Sequence, residues 1–176
     1  HNARDPHRDH VHGRVYRVTY PDRPLVKPAK IAGASISVLL ENLKLPEYRS
    51  RYRTRRELRG RKASEVLPAL TKWVAALDKS DKKYDHHVLE ALWVSWGLNQ
   101  VDKAILNQCL TSKDHKVRAA AVNVLRYTGH QVENQGELLI AAAQDDHGRV
   151  VNAAVTTSSW IGKEKGLAVI AAAKKK

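Results

Sequence analysis

The sequence predicts a mainly α-helical fold, an α-α superhelix of stacked helix pairs that follows a short N-terminal β segment. Two stretches about 33 residues apart carry small and branched side chains at matching places, and a Gly follows each of them. From residue 35 onward apolar residues recur at helical spacing, whereas residues 14–20 alternate with a period of two. A period of this length with two helices per unit is typical of an α-solenoid.

The first 20 residues predict the end of a β domain. Tyr16, Val18 and Tyr20 would lie on one face of a strand, and Arg17 and Thr19 on the other. A single strand leaves its backbone groups unpaired, so this segment must pair with something outside the chain or lie across the helices. Residues 21–34 are predicted as a linker because they contain three prolines among small residues. The helical domain is predicted over residues 35–176.

Capping and turn residues set the predicted helix boundaries. In chain order, the predicted boundary residues are Ser35 or Ser37, Pro46, Gly60, Ser64, Asp85 and Gly97. Shorter helices are predicted at roughly 101–110, 136–143 and 163–173, on either side of the two repeated stretches. Together these segments give three to four helix pairs.

The repeated stretches carry the residues that we expect to hold the repeats together. They are Asp114, Val117, Arg118, Ala121 and Gly129 in the first copy, with Val150, Ala154 and Gly162 in the second. Ala lets a neighbouring helix approach closely, the Asp caps the helix, and the Arg can reach acidic or carbonyl groups in the adjacent repeat. The Asp-x-x-Val-Arg-x-x-Ala pattern resembles HEAT repeats, so the predicted fold is HEAT/armadillo-like. The second copy departs from this pattern, with Val151 in place of the Arg.

A strong basic excess favours acidic partners. The chain has 31 Lys and Arg against 18 Asp and Glu, a net charge of +13. The predicted basic surface consists of Arg49, Arg51, Arg53, Arg55, Arg56, Arg59, Arg61 and Lys62. These residues could follow the phosphates of a nucleic acid, or they could pair with acids of a neighbouring domain or chain. We favour the second interpretation, because no base-reading motif accompanies the charge.

Metal binding and catalysis find less support in the sequence. His7, His10 and His12 could share a Zn or Cu ion, but no further ligands complete a recognisable set, so a polar loop is the favoured interpretation. His86 and His87 have no identifiable nucleophile or carboxylate partner. No Cys-x-x-Cys-His is present for haem attachment, and we expect no cofactor and no active site in this stretch.

Two other residue types have structural interpretations. Cys109 lies in an apolar run and is expected to be a buried, unreactive thiol. The four tryptophans lie within apolar helix faces and are expected in the core rather than on a ligand platform. They are Trp73, Trp93, Trp96 and Trp160.

The N-terminal third resembles a specific family. Residues 4–21 are similar to the last strand of a β-propeller, residues 27–33 to the connector that follows it, and residues 48–59 to the entry into HEAT repeats. This order resembles the large exported multidomain membrane-bound dehydrogenases of planctomycete-type bacteria. The resemblance implies a periplasmic or exported location, and a catalytic pocket that would lie in propeller blades outside this stretch.

These observations predict a non-catalytic interaction and spacing scaffold, which binds a protein partner or neighbouring domains of the same chain. One alternative is a nucleic-acid-binding module that uses residues 44–62. Another is a part of a propeller sugar or alcohol dehydrogenase that positions a cytochrome partner. No stretch approaches 18 uncharged apolar residues, so no membrane-spanning segment is predicted. The oligomeric state does not follow from the sequence.

Overall fold

The computed structural model describes residues 5–7, 9, 11–13, 15–22 and 24–174. Over these residues the protein is all-helical, with nine α-helices and no β-strand. The helices are α1 (Ile36–Asn42), α2 (Tyr48–Arg59), α3 (Ala63–Ala75), α4 (Tyr84–Gly97), α5 (Lys103–Leu110), α6 (His115–Leu125), α7 (Gln135–Ala143), α8 (Gly148–Ser158) and α9 (Lys163–Lys174). The mainly α-helical prediction is therefore confirmed.

Side-chain caps explain several of the helix starts. Ser35 caps α1 by accepting a hydrogen bond from the Val38 amide, and Asp102 and Asp114 cap α5 and α6 in the same way. At the start of α8 the cap is His147, whose Nδ1 accepts from the Arg149 amide at 3.1 Å. Each cap satisfies a backbone donor that the helix leaves without an internal partner.

Two predicted caps lie inside their helices. α3 begins at Ala63 without a side-chain cap, so Ser64 belongs to its first turn. α4 begins at Tyr84, and Asp85 instead accepts a hydrogen bond from the Ser112 hydroxyl just before α6.

The end of α4 also differs from the prediction. Gly97 is the last residue of the helix, and the residue with a left-handed backbone conformation is Asn99 (φ 56°).

The helices pack as neighbouring pairs. α1 packs on α2, α3 on α4, α5 on α6 and α7 on α8. The even-numbered helices also contact each other in succession, α2 with α4, α4 with α6 and α6 with α8. On the other side of the pairs, α1 contacts α3 and α7 contacts α9. Each pair therefore lies beside the next one along the chain.

One hydrophobic core runs through this arrangement. Leu39, Leu58, Leu92, Leu125 and Leu139 have at most a trace of exposed surface and belong to one connected cluster of buried residues. Each buried leucine side chain contributes about 1.5–3 kcal/mol to the free energy of folding. The same core holds four of the predicted repeat residues, which are Val117, Ala121, Val150 and Ala154. The contact between α6 and α8 thus rests on small and branched side chains.

The two predicted repeat glycines have different roles. Gly162 adopts φ +89°, a conformation that favours glycine, between α8 and α9. Gly129 lies against the buried Gln135 side chain, and a Cβ there would come within 2.4 Å of the Gln135 Oε1 atom. A side chain at Gly129 would therefore displace Gln135, which donates a hydrogen bond to the Leu125 carbonyl.

The N-terminal strand prediction is not confirmed. The described residues 15–22 have no regular secondary structure, and Val15 and Val18 are almost fully exposed. Arg14 lies outside the described residues. A β-strand needs a partner for its backbone groups, and none of the described residues provides one for this segment.

None of the helices formed by the described residues is both long and apolar enough to cross a membrane.

Candidate binding groove

An open groove lies between α2 and the C-terminal end of α4. Its volume is about 750 Å³. It is lined by Tyr48, Tyr52, Arg55, Arg56, Arg59, Trp93, Trp96, Gly97 and Asn99. We call this surface the aromatic–arginine groove. It combines exposed rings with positive charge and contains no acidic lining residue.

Helical spacing brings the groove residues of α2 to one face. Tyr48 and Tyr52 are four residues apart, and their rings stack with centroids 6.2 Å apart. The Arg55 guanidinium lies over the Trp93 ring at 4.9 Å and over the Tyr48 ring at 5.9 Å. These cation–π contacts connect α2 to α4.

A buried carboxylate supports the groove from below. Glu90 on α4 is fully buried, and its oxygens accept from Arg51 Nε at 2.8 Å and from Arg55. His86 Nε2 lies 3.4 Å from the Glu90 Oε1 atom. Burial alone raises the pKa of Glu90, but the contacts with His86, Arg55 and Arg51 outweigh this and hold the pKa below its usual value. The carboxylate therefore stays charged, and three basic side chains contact it.

Arg51 and Arg118 make the same set of contacts. Arg118 Nη1 donates to the carbonyls of the residues six and five positions before it, Ser112 and Lys113. Arg51 Nη1 donates to Leu45 and Pro46, which are at the same separations. Each guanidinium then binds an acid in the next helix pair.

For Arg118 those acids are Asp145 and Asp146. Arg118 Nε lies 2.7 Å from Asp145 Oδ2, and Nη2 lies 2.6 Å from Asp146 Oδ1. The hydrogen bonds from Arg118 lower the pKa of Asp145 to about 2. This contact between adjacent pairs is the kind that the sequence pattern led us to expect of Arg118.

The structure divides the predicted basic surface into two groups. Arg51, Arg55 and Arg61 bind acidic side chains, with Glu57 as the partner of Arg61, and Lys62 lies 3.8 Å from Glu65. The other four residues are exposed, and no acidic group among the described residues lies within 4.0 Å of them. They are Arg49, Arg53, Arg56 and Arg59. That any of the eight binds a ligand stays a prediction.

A row of rings continues from the groove across the later helices. Trp96 stacks on Tyr127 with centroids 5.8 Å apart, and Tyr127 meets Trp160 at 6.0 Å. The Arg126 guanidinium lies 4.0 Å over the Trp160 ring and 5.4 Å over the Tyr127 ring. We call Trp96, Tyr127, Trp160 and Arg126 the aromatic row.

The tryptophan prediction is right for one residue and wrong for another. Trp73 is buried, and its Nε1 donates to Glu41 Oε1 at 2.8 Å, whereas Trp160 is 59% exposed. The sequence held a signal for the row, because an aromatic residue stands one or two positions before each of Gly97, Gly129 and Gly162. The recurrence becomes meaningful only once the ends of α4, α6 and α8 are known to meet.

The candidate metal ligands do not form a site in the described part of the chain. His12 Nδ1 pairs with Asp9 Oδ2 at 3.2 Å, His7 is exposed, and His10 lies outside the described residues. No group of three or more His, Cys, Asp or Glu among the described residues could hold a metal ion. Two other histidines, His115 and His147, stack face to face with centroids 3.5 Å apart and join the starts of α6 and α8.

Cys109 is buried in the core, and burial followed by the charge of Asp85 raises its pKa to about 12. The nucleophilic form of a thiol is the thiolate, and a thiol with such a pKa carries little of it at neutral pH.

Comparison of the chain with protein-family models, with curated proteins and with solved structures finds no match.

Proposed function

We propose that this chain is a non-catalytic binding scaffold, a HEAT-like solenoid that takes an acidic segment of a protein partner in the aromatic–arginine groove. The observation that carries the proposal is the groove itself, in which exposed rings lie beside Arg56 and Arg59, two arginines that have no acidic partner in the described part of the chain. The fold, the exposed rings and the charge support it separately.

The helix packing supports the solenoid. Each pair contacts the next pair along the chain, which is how repeat proteins extend. Arg51 and Arg118 make equivalent contacts, so α2 takes the place in its pair that α6 takes in a later one. On this basis α1–α2, α3–α4, α5–α6 and α7–α8 are four successive units, and α9 is the first helix of a fifth.

The exposed rings support a protein interface. Tyr48, Tyr52, Tyr127 and Trp160 are 61%, 45%, 48% and 59% exposed. Since aromatic side chains each bury roughly 150–250 Å² in a core, these four expose on the order of 400 Å². Apolar patches of about this size mark interaction sites on soluble proteins, and Trp, Tyr and Arg dominate the energetics of protein interfaces.

The charge selects the kind of partner. Arg56 and Arg59 line the groove without an acidic neighbour among the described residues, and the chain as a whole carries +13. Like charges would repel a basic partner, and carboxylates would accept charge-assisted hydrogen bonds from the guanidinium groups. A partner that offers Asp or Glu beside apolar side chains fits both properties of the groove.

Fluorescence anisotropy with a labelled random copolymer of Glu and Tyr tests this proposal. We expect the wild-type protein to bind it at low ionic strength. Arg56→Glu with Arg59→Glu should weaken binding at least tenfold, because two attractive charges become repulsive. The matched control is Lys79→Glu with Lys82→Glu, which makes the same charge change at exposed sites between α3 and α4. Absence of binding, or equal loss in both double variants, would refute the proposal.

Nucleic-acid binding is the second candidate. The observation that favours it is the exposed face of α2, where four unpaired arginines accompany stacked tyrosines. Single-strand binding proteins combine positive grooves with stacking rings. This function predicts that labelled oligothymidylate binds more tightly than the copolymer, and that its affinity falls linearly with the logarithm of salt concentration.

We also propose, from the sequence resemblance alone, that the scaffold serves within a larger exported redox protein. The HEAT-like units would then space its catalytic domain from an electron-accepting cytochrome. The neighbouring sequence in the gene tests this: a propeller domain encoded upstream supports the proposal, and an unrelated domain there contradicts it.

A further inference from the structure

Resting on the proposed function, we infer that the partner segment is an extended chain of about five to nine residues with acidic groups at both ends. One acidic end binds Arg56 and Arg59 in the aromatic–arginine groove, and the other binds Arg126 at the C-terminal end of α6. Apolar side chains between the two ends lie on the aromatic row.

Trp96 makes the two surfaces continuous. It lines the groove together with Arg56 and Arg59, and it also stacks on Tyr127. Tyr127 in turn contacts Trp160, so rings follow one another from α4 to the end of α8. A ligand seated in the groove therefore meets an unbroken aromatic surface that leads to Arg126.

Arg126 is prepared to receive an anion. Its guanidinium lies over Trp160 and Tyr127, and no acidic group among the described residues pairs with it. Its Nε is buried and has no hydrogen-bond partner in the described structure. The contacts with the two rings hold the guanidinium beside the aromatic row, where it can donate hydrogen bonds to the two oxygens of a carboxylate.

The distribution of charge favours a peptide over a nucleic acid at this surface. A single strand carries a phosphate at every nucleotide and needs a continuous basic track. The three rings of the row carry no charge, and the cation that lies over them is Arg126. Arginines thus occur in the groove and at Arg126, with the uncharged Trp96 ring between them, which suits an acid–apolar–acid segment.

The helix spacing sets the length of the segment. Arg126 follows the last residue of α6, and its guanidinium lies over Trp160 just after α8, so two to three helix steps separate it from α2. Packed helices lie about 8–10 Å apart, which gives a span of about 16–30 Å. An extended chain advances about 3.3 Å per residue, so about five to nine residues cover this distance.

Two defined peptides test the inference. The long peptide is Glu-Glu-Ser-Tyr-Ser-Tyr-Ser-Glu-Glu and the short one is Glu-Glu-Glu-Glu, which carries the same number of carboxylates but is too short to reach both ends of the surface; each has a fluorescent label. We expect Arg126→Gln to weaken binding of the long peptide about tenfold and to change binding of the short one less than about twofold. Gln retains a flat polar group over Trp160, and circular dichroism checks that the variant is folded.

Arg149→Gln is the matched control, because it removes one exposed positive charge from the opposite end of α8. It should leave both affinities within about twofold of wild type. If Arg126→Gln weakens binding of the two peptides equally, or no more than Arg149→Gln does, the inference of an extended partner segment is wrong, while the groove proposal stands. If neither peptide nor the copolymer binds, both fail. Tighter binding of an oligothymidylate of matching length would show that the partner is a nucleic acid and not a peptide.

Discussion

At the scale of single residues, Glu90 carries the most information about how the groove is held in place. It is fully buried, yet it remains charged because Arg51, Arg55 and His86 surround it. Its partners on α2 are also the supports of the groove, since Arg55 lies over the Trp93 and Tyr48 rings. A change at Glu90 should therefore affect stability and groove geometry together.

We expect Glu90→Gln to lower the free energy of unfolding by about 3–5 kcal/mol, because it leaves two largely buried guanidinium groups without a counter-charge. Urea denaturation followed by tryptophan fluorescence measures this. Glu57→Gln is the control, since the Glu57–Arg61 pair is about one-third exposed and should be worth no more than about 1 kcal/mol. Similar losses in the two variants would show that the Glu90 cluster does not stabilise the fold.

At the scale of the helices, the sequence predicted which segments are helical better than it predicted where each helix begins and ends or which residues lie on its surface. The Asp114 cap and the burial of Val117 and Ala121 follow from local patterns, because capping and periodicity depend on nearby residues. The equivalence of Arg51 and Arg118 was not predicted. In α2, Ser50 stands where α6 has Val117 and the run of arginines hides the motif.

The aromatic row could not be predicted from the recurrence of aromatic residues before Gly97, Gly129 and Gly162 alone. Its residues come from the ends of separate helices, and whether such ends meet depends on how the pairs are offset from one another. The predicted strand at residues 14–20 illustrates the reverse case. Its alternating pattern is clear, but a strand forms only when a partner strand accepts its hydrogen bonds, and local sequence does not supply that partner.

The junction between α6 and α8 should weaken in acid. Arg118 lowers the pKa of Asp145 to about 2, well below the usual value of an aspartate. A depressed carboxyl pKa contributes stability that is fully present above about pH 4 and is lost as the pH falls toward 2. We therefore expect the difference in unfolding free energy between the wild type and Asp145→Asn to shrink over this interval. Chemical denaturation at a series of pH values measures it, and a constant difference would contradict the assignment.

At the scale of the whole molecule, stability should vary along the stack. α4 and α6 have packed neighbours on both sides, whereas α9 packs on α7 and α8 only. In repeat proteins, each unit depends on its neighbours, so terminal units open more readily than central ones. Residues 15–22 form no helix or strand, so their amides should show no protection.

Hydrogen exchange followed by mass spectrometry tests this gradient. We expect amides of α4 and α6 to exchange most slowly and those of α9 to exchange faster. Arg118→Ala should accelerate exchange in α7, α8 and α9 more than in α1 and α2, because it removes the ion pairs that connect α6 to the next pair. Arg61→Ala removes the ion pair with Glu57 and the hydrogen bond to the Ala34 carbonyl, both in the first two helix pairs, and should not have this effect on α7, α8 and α9. Uniform exchange along the chain would indicate a single cooperative unit instead.

The links between successive pairs are not of one kind. Ion pairs join α2 to α4 and α6 to the residues before α8, whereas the junction between α4 and α6 is linked by uncharged donors, Ser112 to Asp85 and Gln131 to Asn99. Among the described residues no ion pair crosses the junction between α4 and α6, so its geometry depends on core packing and on these hydrogen bonds from uncharged donors. Trp96 and Tyr127 stack across this junction, so a partner that contacts both rings would restrict movement of the earlier helix pairs relative to the later ones.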